Sequence, residues 1–183
     1  MSIGIIILIV LALLVFYVIG VYNSLVTARL KTETAWAQVD TELKRRFDLI
    51  PNLVETVKGY AIHEQETLEK VIQARNSYNS ANTVEGKVEA SNMLTGTLKT
   101  LFAVAESYPD LKANENFISL QNTLEKTEDS IAMSRKYYNE VIENYNKGIL
   151  VFPKNIIASM FNFKPGVFFK VSEEERQNVE VKF

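Results

Sequence analysis

The chain has 183 residues, with 20 Lys and Arg against 22 Asp and Glu, a single His and no Cys. Near charge balance leaves no basic footprint for nucleic acid, and the absence of cysteine excludes a disulfide framework, a thiolate nucleophile, iron–sulfur clusters and cysteine-ligated zinc. One histidine supplies neither a multi-histidine metal site nor an ordinary Ser-His-Asp triad, so composition points to one domain plus an attachment and away from most hydrolytic chemistry.

Residues 3–22 contain no charged side chain. As a helix they span about 30 Å, the hydrocarbon thickness of a bilayer, and Tyr17 and Tyr22 fall where an interfacial aromatic belt lies. A cleaved signal peptide needs a basic leader and a small-residue cleavage site, which Met1-Ser2 and Val18-Ile19-Gly20 do not offer. Residues 1–22 therefore read as an uncleaved single-pass anchor in the lipid bilayer of the cell membrane. Arg29 and Lys31 follow the span and no Lys or Arg precedes it. The positive-inside rule then places the remainder in the cytoplasm; the tolerance of long domains for either side leaves the extracytoplasmic orientation open.

Residues 23–150 read as a four-helix bundle, with helices at about 23–48, 51–79, 84–107 and 114–147. Trp36, Val39, Leu43 and Phe47 mark the core face of the first. Pro51 disfavours the α conformation at Ile50 and suits the first turn of a new helix, so a break is expected there, with one long kinked helix as the alternative. Lys44-Arg45-Arg46 and Asp48 then sit at a helix end, where cations complement the negative dipole terminus; docking of an acidic partner is the other reading. Val54, Val57, Ala61, Glu64, Leu68, Val71, Arg75 and Tyr78 alternate by three and four, the seam of a left-handed helix pairing. Glu64 and Arg75 occupy seam positions where leucine is expected, and a buried charge requires a partner. They are about 16 Å apart along a helix, so each must pair across the bundle, with Arg135, Glu128, Asp40, Arg45 or Arg46. Glu64, Arg75 and Arg135 are thus the predicted buried polar set.

Leu94, Leu98, Leu101 and Ala105 continue the seam on the third helix. Phe117, Leu120, Leu124, Thr127, Ile131, Ser134, Tyr138, Val141 and Tyr145 continue it on the fourth, which Asn114 or Asn116 can cap. Up-and-down topology returns the Tyr108–Asp110 connection to the end shared with Asp48 and Pro51. Arg45, Arg46, Asp48, Asn52, Tyr108 and Asp110 are accordingly the predicted partner-binding residues, at the end away from the membrane. His63-Glu64 lacks the second histidine of a zincin helix, Thr67 standing in its place, and no Gly-rich phosphate cradle occurs. No catalytic, metal or cofactor-binding residue is expected. Residues 151–183 form a Phe-rich short helix, near 153–161, and a charged tail from Ser172; the Phe-rich stretch either packs on the bundle end or makes a membrane-surface or partner patch.

The strings Ala35-Trp36-Ala37-Gln38-Val39-Asp40, Arg45-Arg46-Phe47-Asp48-Leu49-Ile50-Pro51-Asn52-Leu53-Val54 and Glu106-Ser107-Tyr108-Pro109-Asp110-Leu111-Lys112-Ala113-Asn114-Glu115-Asn116-Phe117 closely resemble the LemA family of bacterial membrane proteins, from the anchor to about Phe163. The resemblance implies an all-α protein, an N-terminal transmembrane helix followed by an antiparallel four-helix bundle. It implies no catalytic residue or cofactor. It further implies association with HtpX-like membrane metalloproteases and TPM-domain proteins, in envelope stress response or membrane protein quality control. The function expected is a non-catalytic membrane-anchored scaffold; a self-assembling membrane-organising homo-oligomer is the alternative, and an enzyme of unknown type the remote one.

Overall fold

A computed structural model describes residues 3–170; the charged tail expected from Ser172 lies outside the described residues. Every element within them is helical: α1 Ile3–Lys58, α2 Gln65–Ser80, α3 Val84–Ala105, α4 Pro109–Lys112, α5 Glu115–Leu150 and α6 Lys154–Met160. The chain divides into two compact units, residues 3–38 with 136–168, and residues 39–135 with 169–170.

The expected break at Pro51 does not occur: α1 runs through it to Lys58. An interior proline costs about 3 kcal/mol through its missing N–H and its clash with the carbonyl one turn back. Around it, Ile50, Leu53, Val54 and Val57 are buried, each contributing roughly 1.5–3 kcal/mol. Pro51 itself is exposed, so its ring occupies no core position. The reversal comes at Gly59–Glu64 instead, closed by Tyr60 and Ala61 N–H donating to the Val57 carbonyl at 3.0 and 2.9 Å. Lys44-Arg45-Arg46 is therefore mid-helix, and the helix-terminus account of that triplet falls.

In the second unit, the core face of α1 is Val39, Leu43, Arg46, Phe47, Ile50, Leu53 and Val57. Also buried in this unit are Leu68, Val71, Ala74 and Tyr78 of α2, Leu94, Leu98, Leu101 and Ala105 of α3, and Phe117, Leu124, Thr127 and Ile131 of α5, among others. Side chains tie four helices together: Asp40 of α1 accepts from Tyr78 of α2 and Lys87 of α3, while Arg46 of α1 reaches α3 and α5. Thr83 caps α3 by accepting from Gly86 N–H at 3.1 Å, and Asn114 caps α5 by accepting from Phe117 N–H at 3.0 Å. The expected seam holds on α3 and shifts on α2, where Ala74 is buried and Arg75 only half-buried.

In the first unit, Val21 and Leu25 of α1 pack with Tyr145 and Ile149 of α5 and with Ile157 and Ala158 of α6. Asn162, in the left-handed conformation at φ 56°, ends α6: its N–H reaches the Ser159 carbonyl and the Phe163 N–H reaches that of Ala158 at 2.9 Å, a Schellman closure. An extended strap follows along α5. Asn146 both donates to the Gly166 carbonyl at 3.0 Å and accepts from its N–H at 2.7 Å, and Tyr145 and Tyr138 donate to the carbonyls of Lys164 and Val167. Gly166 lies close against α5: a Cβ there would stand 2.6 Å from Ile142 Cδ1, so the end of that side chain would have to shift to admit one.

Candidate functional site

Two polar ties in the second unit concentrate its buried chemistry. Val39, Leu43, Arg46, Ile50, Leu53 and Val57 recur by four and three, so position 46 faces the core as surely as the leucines do. Its side chain is wholly buried. Nη1 donates to both Glu128 oxygens, at 2.7 and 3.0 Å, and to Thr95 Oγ1 at 3.2 Å; Nη2 donates to Ser91 Oγ at 2.6 Å and to the Ser91 carbonyl at 3.1 Å. Arg46 Nε and Glu42 Oε2, one turn apart on α1, are buried polar atoms with no hydrogen-bond partner. A planar guanidinium suits this arrangement because its fork serves a carboxylate and a hydroxyl together. The carboxylate end of the tie borders a cleft of about 390 Å³ between α3 and α5, lined by Thr95, Leu98, Phe102, Leu124 and Glu128 among others.

The second tie is centred on Asp40. Its carboxylate accepts from Lys87 Nζ at 2.6 and 2.8 Å and from the Tyr78 hydroxyl at 2.8 Å. The Tyr78 ring stacks on Phe47 at 4.1 Å between centroids. Burial above all, and then the hydrogen bond to the Asp40 carboxylate, push the Tyr78 phenol far above its ordinary value. The Glu128 and Asp40 carboxylates both accept hydrogen bonds from other helices, an arrangement that favours one register between the helices.

The predicted docking residues separate. Arg45, Asp48 and Asn52 are exposed on one face of α1, and Asp110 is exposed on α4. Arg46 is withdrawn from any docking role by its burial. Tyr108 is half-buried and donates to Glu64 at 3.0 Å, a bond that, with some burial, raises its phenol pKa. Asn114 donates to the Tyr60 hydroxyl at 3.0 Å. The connection carrying Tyr108 and Asp110 therefore meets the Gly59–Glu64 turn, not Pro51, because the chain reverses later than expected. Glu64, Arg75 and Arg135 are half-buried rather than buried; the Arg135 guanidinium lies 4.8 Å over the Phe169 ring. Among the described residues the fully buried charged side chain is Arg46. The unbroken four-three phase across Pro51 was the signal that could have found it.

Among the described residues no three His, Asp or Glu side chains converge as metal ligands. α1 is long and apolar enough near its start to cross a membrane, and none of its apolar window is buried inside the protein.

Residues 35–183 match the model of the LemA family. The chain is 26% identical over 166 residues to Protein LemA of Metamycoplasma hominis, covering 90% of this chain and 76% of that protein. It is 24% identical over 175 residues to Magnetosome protein MamQ 2 of Paramagnetospirillum magneticum, covering 81% of this chain, and 22% identical over 174 residues to Magnetosome protein MamQ of Magnetospirillum gryphiswaldense. In both magnetosome proteins it spans 64% of the relative's length. With the family model covering most of its length and the helical architecture in agreement, the chain belongs to the LemA family.

Proposed function

We propose that the chain is a single-pass, non-catalytic scaffold of the bacterial envelope, anchored by residues 3–22 and recruiting an envelope protein in stress response or membrane protein quality control. The observation that carries this reading is the fate of the bundle's ionisable groups. Arg46, Glu128, Asp40 and Lys87 are committed to one another and to neighbouring hydroxyls, whereas the Arg45 and Asp48 charges, with the Asn52 amide beside them, stand exposed on the helix that also carries the span. Surface charges of this kind govern association more than folding. Arg29 and Lys31 beyond the span favour a cytoplasmic bundle, and an HtpX-like membrane protease is the partner the family resemblance suggests. The test is crosslinking in native membranes with identification of co-purified proteins, comparing wild type with Arg45→Gln/Asp48→Asn. Loss of the protease from the variant at matched thermal stability supports docking through this face; unchanged capture rejects it.

A second reading, lateral self-assembly, is favoured by an open cleft of about 400 Å³ lined by Val54, Ala61, Ile62, Leu68 and Ile72. Ile62 is 68% exposed there, and apolar surface of this kind commonly marks a contact site. Light scattering on the solubilised chain separates the readings: a large oligomer that Ile62→Asp reduces to protomers supports self-assembly.

A further inference from the structure

We infer that the corner joining α5 to α6 is a second membrane contact, an interfacial anchor that inserts its apolar side chains into the leaflet where α1 emerges and holds anionic lipid through its lysines. The inference rests on the reading of residues 3–22 as a membrane span.

Three observations converge on it. The first is position. α6 is docked on α1 where the apolar stretch ends: Val21 within it and Leu25 just beyond it pack with Ile157 and Ala158, and the Tyr22 ring lies 4.8 Å from Phe161 and 5.9 Å from Phe163. Tyr22 is the residue at which the span ends, so α6 sits at interface depth, where aromatic rings concentrate. The second is exposure. Leu150, Phe152, Ile156 and Met160 are 70, 75, 55 and 66% exposed, although Ile157 and Ala158 between them are buried. Four large apolar side chains this exposed on so short a segment are apolar surface of the kind that marks a membrane or protein contact. The third is charge. From Asn144 to Lys170 the chain carries Lys147, Lys154, Lys164 and Lys170 and no Asp or Glu, in a protein that is slightly acidic as a whole. Apolar side chains beside lysines that can snorkel to the headgroups form the pattern of an interfacial segment on anionic lipid. Continuity with the span commits the occupant to lipid rather than to another protein.

The segment also has a means of keeping its place. The Schellman closure at Asn162 and the strap bonded to Asn146 fix the chain on both sides of the aromatic cluster, so the exposed side chains are presented from a folded base.

The natural absence of cysteine makes the test direct. Full-length protein carrying Phe152→Cys or Met160→Cys is spin-labelled and reconstituted into vesicles of phosphatidylglycerol and phosphatidylcholine, with Leu14→Cys as a marker of the span and Lys126→Cys as an aqueous marker. Collision with dissolved oxygen, which partitions into the bilayer, is compared with collision with a water-soluble nickel complex. The expected result is high oxygen and low nickel accessibility at 152 and 160, shallower than at 14 and opposite to 126. Moving to phosphatidylcholine alone, or replacing Lys147, Lys154 and Lys164 with Gln, should raise nickel access at 152 and 160 and leave position 14 unchanged. Aqueous behaviour at 152 and 160 with position 14 buried overturns the inference and leaves the span standing. Aqueous behaviour at position 14 as well overturns both. Spin–spin broadening at 152 or 160 that disappears on dilution with unlabelled protein assigns the patch to a second copy of the chain and likewise overturns the inference.

Discussion

Arg46→Ala is expected to destabilise the chain by about 3 kcal/mol, the low end of the 3–5 kcal/mol that follows when one member of a buried pair is removed. The low end applies because the Glu128 side chain is 40% exposed, so the stranded carboxylate recovers part of its hydration. Ser91 loses both of its contacts from Nη2, at 2.6 and 3.1 Å, but its backbone carbonyl still accepts from Thr95, which further limits the loss. Glu128→Gln keeps the shape and leaves the guanidinium on Ser91 and Thr95, so about 1–2 kcal/mol is expected, the difference between a charge-assisted and a neutral hydrogen bond. Arg46→Met with Glu128→Leu removes both charges at once and should be within about 1 kcal/mol of wild type or above it, since apolar replacement of a whole buried pair is often neutral or stabilising. Urea unfolding of the chain in mild detergent, followed by far-ultraviolet circular dichroism, reads all three; in a thermal melt, at about 2–4 °C per kcal/mol, the single Arg46 substitution should lower Tm by roughly 6–12 °C. A loss under about 1 kcal/mol for Arg46→Ala would refute the reasoning, as would a double variant no better than the sum of its parts.

Arg45→Gln/Asp48→Asn should leave Tm nearly unchanged, about 0.5 kcal/mol or less, because both side chains are exposed; a large loss by the same unfolding assay would mean that this face is covered. Stability should fall as pH rises beyond about 10: the Tyr78 phenol is held protonated in the folded chain and ionises near its ordinary value when unfolded, so the unfolded state binds fewer protons there and the slope is negative. Tyr78→Phe should flatten that alkaline slope, and an unaltered slope in a pH series of urea midpoints would contradict the assignment. Asn146→Ala removes both bonds to Gly166, roughly 1–3 kcal/mol locally; hydrogen exchange should quicken at the Gly166 amide while α3 stays protected. Asn114→Ala takes away the α5 cap, about 1 kcal/mol, measured as a shift of the urea midpoint.

The class of structure and the apolar start of α1 were legible from residue order alone. Period-3.6 spacing with no competing alternation is a local property, and Leu94, Leu98, Leu101 and Ala105 could be assigned to the core from spacing alone. The charge-free stretch at residues 3–22 and a cap at Asn114 or Asn116 are equally local, since each depends on side chains within a few positions; the structure places the cap at Asn114. Packing between distant segments settled the matters in which a local cost meets a distant gain. Pro51 reads as a breaker because its penalty is written into its own ring, while the burial of Ile50, Leu53, Val54 and Val57 that outweighs it depends on the helices packed against them. Arg46 reads as surface because arginine is seldom buried; Ser91, Thr95 and Glu128, 45 to 82 positions away, are what make its burial tolerable. The choice of Ala74 over Arg75 for the core of α2 follows from helix rotation, which a shift of one position sets and which the partner helices alone resolve. The candidate docking face inherits the same limit: exposure of Arg45, Asp48 and Asn52 could be read from the phase of α1 only once that helix was known to continue past Pro51.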